Sequence, residues 1–337
     1  MTNHIPIMTF PEDTLTLVRE VPATAPTLLT IVVSAYRHAD FIGECLASID
    51  AVAVPDIELI VIDDGSPDDT LRVCREYVFS PQLPLRLYTK RNAGLTDSLR
   101  RGLALARGEY VAFIGSDDAY LPAGLTEVLS SLRTGTWRGD ATVCQGIMFD
   151  DVEESLIYKK DALDLFKQPP EEIYRHLCLY LFYVLLLQTT IFRTAFLREV
   201  DPWNRKRALD DWPTFILVLE AAAKGRASVR YEPELLLSRY RQHEDGVSRR
   251  LTHMLSIAEQ SALEVVPPKW RRPALANIRI QFGLTHLYQR NIGAGLLLCM
   301  RGLLTCPTPV VISQVVRRGA RFIGKRLAGQ SAMVESA

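Results

Sequence analysis

Acidic residues are missing from the whole stretch between Gln281 and Val334, although Lys+Arg and Asp+Glu balance at 39 each over the 337 residues. The balanced total excludes a strongly basic nucleic-acid binder, so no nucleic-acid partner is expected and the charge bias is local. The six cysteines, Cys45, Cys74, Cys144, Cys178, Cys299 and Cys306, form no C-x-x-C pair. Their scatter argues against a zinc site or a disulfide framework and fits buried thiols in a reducing compartment. The chain does not open with a basic segment followed by an apolar run, so no secretory signal is expected and the cytoplasm is the expected location. The most apolar run of the second half, LCLYLFYVLLL (177–187), falls short of the ~20 residues a membrane span needs and reads as part of a buried core helix over 171–187. The stretch DDGSPDD lacks the spaced ligands and terminal Glu of a calcium loop.

What is present fits a soluble enzyme with a large core: 48% of residues are hydrophobic and 23% charged, enough for one big domain and an appendage. Residues 1–26, rich in Pro and Thr, read as an extended leader. From residue 27 apolar strand-like runs at 28–34, 57–62, 84–88 and 109–114 alternate with helical spacing, which predicts a parallel sheet with crossover helices and a Rossmann-like half over 27–120. The half over 121–250 is less regular: strands at 139–149, 188–193, 227–231 and 235–240, and a helix over 211–223, would complete one mixed sheet. Residues 251–337 read as helical and basic.

Two strands end in paired aspartates, IELIVIDDGSPDDT (57–70) and GEYVAFIGSDDAYLP (108–122). In an open α/β sheet ligands bind at the carboxyl ends of the strands. Asp63 and Asp64 can receive hydrogen bonds from a nucleoside or can cap the helix that follows; Asp117 and Asp118, after Ser116, can hold a divalent cation or cap the next helix. Asp210 and Asp211 precede Pro213 at a helix start, where they are suited to capping. Arg239, Arg241 and His243 lie close together on what reads as a loop.

SAYRHADFIGECLASI (34–49), the two aspartate-tipped segments, KRNAGLTDSLRRGLALA (90–106), LDDW (209–212) and SRYRQHEDGVS (238–248) occur in the order found in family 2 glycosyltransferases, and several linked motifs in register are more specific than any one alone. The chain resembles that family over roughly residues 28–250. The resemblance implies a GT-A fold, an α/β domain with a mixed, mainly parallel sheet flanked by helices, here with a C-terminal helical appendage. It implies a nucleotide-sugar site at Ser34, Tyr36, Asp63, Asp64, Arg91, Asn92, Gly94, Ser116 and Arg241, an Mg²⁺ or Mn²⁺ ion at Asp117, Asp118 and His243, and Asp211 as general base with Asp210 beside it. Two positions depart from the family pattern: Gly115 stands where the first aspartate of D-x-D belongs, and Arg37 where an Asn follows the tyrosine.

The implied activity is inverting transfer from a nucleotide-diphosphate sugar, with a UDP-sugar favoured, to a hydroxyl of a glycan or lipid-linked acceptor in polysaccharide or O-antigen assembly. Gly115 keeps open a second class, a nucleotide-sugar-binding module without turnover. The acid-free segment VVISQVVRRGARFIGKRL (310–327) has apolar residues among its cations, as an interfacial helix does; it reads equally as a helix docked on the enzyme. Peripheral contact with the inner membrane face through 290–327 and a homo-oligomer complete the expected partners.

Overall fold

The computed structural model describes residues 15–180, 185–204, 209–242 and 251–307. The chain divides into two compact units, Met1–Tyr174 with Val184–Glu244 and Arg175–Tyr183 with Asp245–Ala337.

In the first unit the chain runs β1 (Thr16–Val21), β2 (Leu29–Ala35), α1 (Ile42–Asp50), β3 (Ile57–Asp63), α2 (Thr70–Glu76), β4 (Leu85–Thr89), α3 (Leu95–Leu105) and β5 (Tyr110–Gly115). It continues through β6 (Ala119–Tyr120), α4 (Pro122–Arg133), β7 (Ala141–Phe149), β8 (Glu154–Leu156), α5 (Lys160–Phe166) and α6 (Pro170–Leu179), the last of which runs into the second unit. Then come β9 (Thr190–Arg193), α7 (Thr194–Val200), α8 (Asp211–Ala223) and β10 (Val229–Arg241). The strands form one sheet in the order β1-β4-β3-β2-β5-β9-β7-β10-β6, with β8 paired to β7.

β4, β3, β2 and β5 are parallel neighbours. β2 and β3 are mostly apolar because the central strands of a parallel sheet are covered on both faces; β3 is buried along its whole length, and its one interior charge, Glu58, accepts from the Thr30 hydroxyl and pairs with Arg86. Leu29, Ile31, Val33, Ile57, Leu59 and Val61 pack with α1 residues Ile42, Leu46 and Ile49 in the main core. β9 is antiparallel to both β5 and β7, while β10 runs parallel to β7, which makes the second half mixed.

Three expectations change. Thr16–Val21, inside the segment read as a leader, is an edge strand antiparallel to β4. The two short strands expected at 227–231 and 235–240 are one strand, Val229–Arg241, whose register slips between Glu232 and Leu236; Pro233 falls there and has no N–H to give the ladder. The helix expected to run to residue 187 stops at Leu179. Near the far end of that run the amides of Leu186 and Leu187 donate to the Tyr158 hydroxyl and the Asp211 carboxylate instead of to helical carbonyls, and Leu187–Thr189 forms a 3₁₀ turn.

The second unit contains α9 (Leu251–Val265), α10 (Pro268–Tyr288) and α11 (Ile292–Thr305). A Cβ added at Gly283, Gly295 or Gly302 would come within 2.8 Å of a backbone oxygen on the facing helix, so α10 and α11 meet backbone to backbone. Among the described residues no helix is long and apolar enough to cross a membrane. The amphipathic segment 310–327 lies outside the described residues.

Candidate functional site

The in-register parallel pairing carries Ala35 of β2 to Asp63 of β3, Asp63 to Thr89 of β4, and Ser34 to Gly115 of β5. The carboxyl ends of four strands therefore finish at one edge, where an α/β sheet places its ligand crevice. The Ser116 amide donates to the Ser34 carbonyl at 3.1 Å and the Asp64 amide to that of Ala35 at 2.8 Å, which ties both aspartate-bearing turns to the end of β2.

Asp63 and Asp64 are both buried. Asp63 accepts from the Thr89 hydroxyl at 2.8 Å and from the Ser66 amide at 3.3 Å. Between them Gly65 has φ +68°, and a Cβ there would lie 2.9 Å from the Lys90 carbonyl oxygen; the left-handed backbone and the close approach both require glycine. The carboxylate of Asp64, expected at the base or ribose, accepts from the Ala93 amide at 2.9 Å, the Gly94 amide at 2.8 Å and the Lys90 ammonium. It organises the 90–94 loop, and of its ~four lone-pair sites only about one is left for a ligand. Neither aspartate caps the next helix: Asp68 takes the Thr70 amide and hydroxyl instead.

Lys90 was not among the expected site residues. Its fully buried ammonium pairs with Asp64 and, at 3.0 Å, with Asp97, which also pairs with Arg101 at 2.8 Å. Burial alone would raise the Asp97 carboxyl, but Lys90 and Arg101 hold it below the usual range. This network fixes the floor of the loop, on which Arg91 and Asn92 are exposed. Gly94 begins α3 at φ +95°. Tyr36 is exposed beside the strand ends, and Arg37 holds a left-handed φ of +59°, a conformation that the family's Asn adopts more readily than Arg.

At the tip of β5, Asp118 is buried and its Oδ1 accepts from the Arg241 amide at 2.9 Å, while the Arg241 Nε donates to the Asp117 carbonyl at 3.1 Å. The same guanidinium pairs with Glu44 and lies over the rings of Phe41 and Phe149. Arg241 thus fastens the end of β10 to the 117–118 turn. Burial, and then the Asp117 charge, push the Asp118 carboxyl well above the usual range. Asp117 is partly exposed. Its Oδ1 lies 3.6 Å from His38 Nδ1, which is itself 2.8 Å from the Ser116 hydroxyl. A Cβ at position 115 would lie 2.6 Å from that Oδ1, so the glycine leaves the space the Asp117 carboxylate occupies.

The fit to a divalent cation follows from these donors. Among the described residues no three His, Cys, Asp or Glu side chains gather in a metal-binding group, and His243 lies outside the described residues. Asp117 and His38 offer one carboxylate oxygen and one imidazole nitrogen, both partly exposed. Mg²⁺ and Mn²⁺ with a diphosphate need only one or two protein carboxylates, the phosphates and water filling the other positions. The residues present fit that arrangement.

Asp210 is the N-cap of α8 and makes no side-chain capping bond, and Asp211 is the first residue of the helix. Asp211 Oδ1 accepts from the Leu187 amide at 2.7 Å. Burial, the Asp210 charge and the Asp118 charge raise the Asp211 carboxyl well above the usual range, and burial raises that of Asp210. Burial and then Asp118, Asp211 and Asp117 raise the Tyr240 hydroxyl. The carboxylates that follow β5 and that of Asp211 at the start of α8, far apart in the chain, therefore both act electrostatically on Tyr240. Behind Asp211 the 186–189 turn is held by Tyr158, whose hydroxyl accepts from the Leu186 amide at 3.0 Å and lies 2.7 Å from the Thr189 hydroxyl. Gln145 grips both backbone groups of Tyr158 at 3.0 Å.

The mixed, mostly parallel sheet flanked by helices, with aspartates at its strand ends, is an α/β fold of the GT-A type. The chain belongs to Glycosyl transferase family 2, whose profile matches residues 30–198, and it is a glycosyltransferase. It is 28% identical over 196 residues to a PGL/p-HBAD biosynthesis glycosyltransferase of Mycobacterium tuberculosis, covering 56% of this chain and 68% of that one. Over 106 residues it is 30% identical to a chondroitin synthase of Escherichia coli, 32% of this chain and 15% of that. In fold it resembles S. aureus TarS 1–349 in complex with UDP-GlcNAc, with a TM-score of 0.55 and 19% identity over 82% of this chain and 80% of that one. It also resembles the mannosyltransferase PcManGT of Pyrobaculum calidifontis in complex with GDP-Man and Mn²⁺, with a TM-score of 0.51 and 16% identity over 94% and 90%.

Proposed function

We propose that the chain transfers a sugar, with inversion, from a nucleotide-diphosphate sugar to a hydroxyl of a glycan or lipid-linked acceptor in cell-surface polysaccharide assembly, with a UDP-sugar as the favoured donor. The observation that supports it is the in-register pairing that brings Asp63 and the 116–118 turn to one edge of the parallel sheet, in a chain of Glycosyl transferase family 2. Tyr36, the 90–94 loop ordered by Asp64, Ser34, Ser116 and the Asp63 turn receive the nucleoside. Asp117 and His38, with His243, would hold Mg²⁺ or Mn²⁺, which when bound neutralises charge on the leaving diphosphate. Asp118, buried and bonded to Arg241, keeps that turn in place.

Asp211 takes the acceptor proton as the acceptor oxygen forms its bond to the anomeric carbon. The bond from that carbon to the diphosphate oxygen breaks, and the nucleoside diphosphate leaves with the electron pair. A raised carboxyl is a stronger base near neutral pH than an ordinary one. The Leu187 amide aims it, and Tyr158, which takes the neighbouring Leu186 amide, sets the turn that carries it. Tyr158→Phe is therefore expected to lower kcat about ten- to a hundredfold through misplacement of the base, with donor KM changed by less than about twofold; a proportional rise in KM would assign Tyr158 to donor binding instead.

Gly115, in place of a family carboxylate, favours the second class, a binding module without turnover. Calorimetric titration with UDP-GlcNAc and with GDP-Man in the presence of Mn²⁺, followed by an assay of nucleoside diphosphate release, separates the two. Binding with slow release supports the transferase. Binding with no release over hours, with glycan acceptors supplied, supports the module, and binding of neither nucleotide sugar contradicts both.

A further inference from the structure

The second unit carries a surface that the transfer reaction does not use. α11 packs on α10 through Gly295, Cys299 and Gly302, its buried residues. Successive residues turn by ~100°, so the side away from that seam presents Leu296, Leu297, Met300, Arg301 and Leu304. Leu304 is 75% exposed, Leu296 58% and Met300 53%, and Ile292 at the start of the helix is 62% exposed. An ordinary surface helix is polar on this side. Here, beyond the apolar side chains, the face offers only a cation, and Arg290 is exposed just before the helix.

The charge around the face points to what covers it. No Asp or Glu occurs between Gln281 and Val334, while Arg290, Arg301, Arg317, Arg318, Arg321, Lys325 and Arg326 do. Glu259 of α9, which lines the same groove as Arg301 and Leu304, already pairs with Arg279 at 2.6 Å, so a second copy docked face to face by two-fold symmetry would bring arginines against arginines, and the acid-free segment 308–334 of this chain could not neutralise them. We propose that the outward face of α11 docks on an anionic lipid surface, with Ile292, Leu296, Met300 and Leu304 entering the interface and Arg290 and Arg301 at headgroup level. The inference is independent of which donor or acceptor the site takes.

Sedimentation of the full chain with vesicles of phosphatidylglycerol and phosphatidylcholine, or of phosphatidylcholine alone, tests this. The chain should pellet with the anionic vesicles only. The double variant Leu296→Glu, Met300→Glu should lower the partition coefficient by about tenfold or more, and Arg290→Ser, Arg301→Ser by about fivefold per arginine. Circular dichroism checks that the helices are retained; if the apolar variant loses them, the arginine variant decides. Equal binding to both vesicle types, or full binding by the variants, overturns the proposal. A dimer of the wild-type chain that becomes monomeric in the apolar variant, with vesicle binding unchanged, would assign the face to a second copy.

Discussion

Asp211→Asn abolishes transfer and at the same time makes the protein more stable above neutral pH. The first half follows from the chemistry: an amide has no lone pair basic enough to take the acceptor proton, so kcat falls by at least about a thousandfold, while donor affinity stays within about twofold because the role proposed for Asp211 is on the acceptor. The second half follows from burial. Burial and the neighbouring charges of Asp210 and Asp118 raise the Asp211 carboxyl in the folded protein. The folded state then holds this proton more tightly than the unfolded chain, so the group favours folding below its unfolded pKa, and that contribution is lost as pH rises through the folded value. Above it the ionised, buried carboxylate opposes folding. Asparagine keeps an oxygen for the Leu187 amide and removes the charge, so the gain in Tm grows as pH rises through the folded value of the carboxyl and vanishes below the unfolded one; each kcal/mol recovered corresponds to roughly 2–4 °C. In the wild-type enzyme the same shift places the acidic limb of the pH–rate profile above the ordinary carboxylate range. An Asp211→Asn variant no more stable than wild type at high pH would show that the carboxyl is not raised.

Lys90→Met destabilises the first unit by about 3–5 kcal/mol, the cost of removing one partner from a buried ion pair. The Lys90 side chain is completely buried between Asp64 and Asp97. Asp97 keeps Arg101, but Asp64 keeps only two amides and a charge that lacks its cation. Because those amides belong to the loop that carries Arg91 and Asn92, donor affinity falls together with stability. In the double variant Lys90→Met, Asp64→Asn part of the lost stability returns, since the stranded charge is gone. Urea unfolding of the single and double variants measures this; additive losses would mean that the two groups do not interact.

The parallel half of the sheet is legible because its central strands are almost wholly buried and apolar, and β3 and β5 end in Asp63 and Gly115. β3 was expected over 57–62 and runs Ile57–Asp63, and the helix expected over 211–223 is Asp211–Ala223. Legibility failed where a partner distant in sequence decides the outcome. Residues 177–187 look helical by apolarity alone, yet Tyr158 and Asp211 capture the amides near their end. Lys90 is one cation in a polar loop until the fold brings Asp64, 26 residues away, against it. His38 is unremarkable until Ser116, 78 residues on, lies beside it. Asp64 was assigned to a ligand because its position at a strand end suits that role, and its local bonds to the 90–94 loop could not be seen without the backbone path.

The central claim is that the two carboxylate sets have separate work, Asp117 on the metal and diphosphate and Asp211 on the acceptor. Calorimetric titration of UDP in the presence of Mn²⁺ into the Asp117→Asn and Asp211→Asn variants tests it most directly. The expected result is a loss of about tenfold or more in UDP affinity for Asp117→Asn, with Asp211→Asn unchanged within about twofold. Unchanged affinity in Asp117→Asn together with a loss in Asp211→Asn would contradict the assignment.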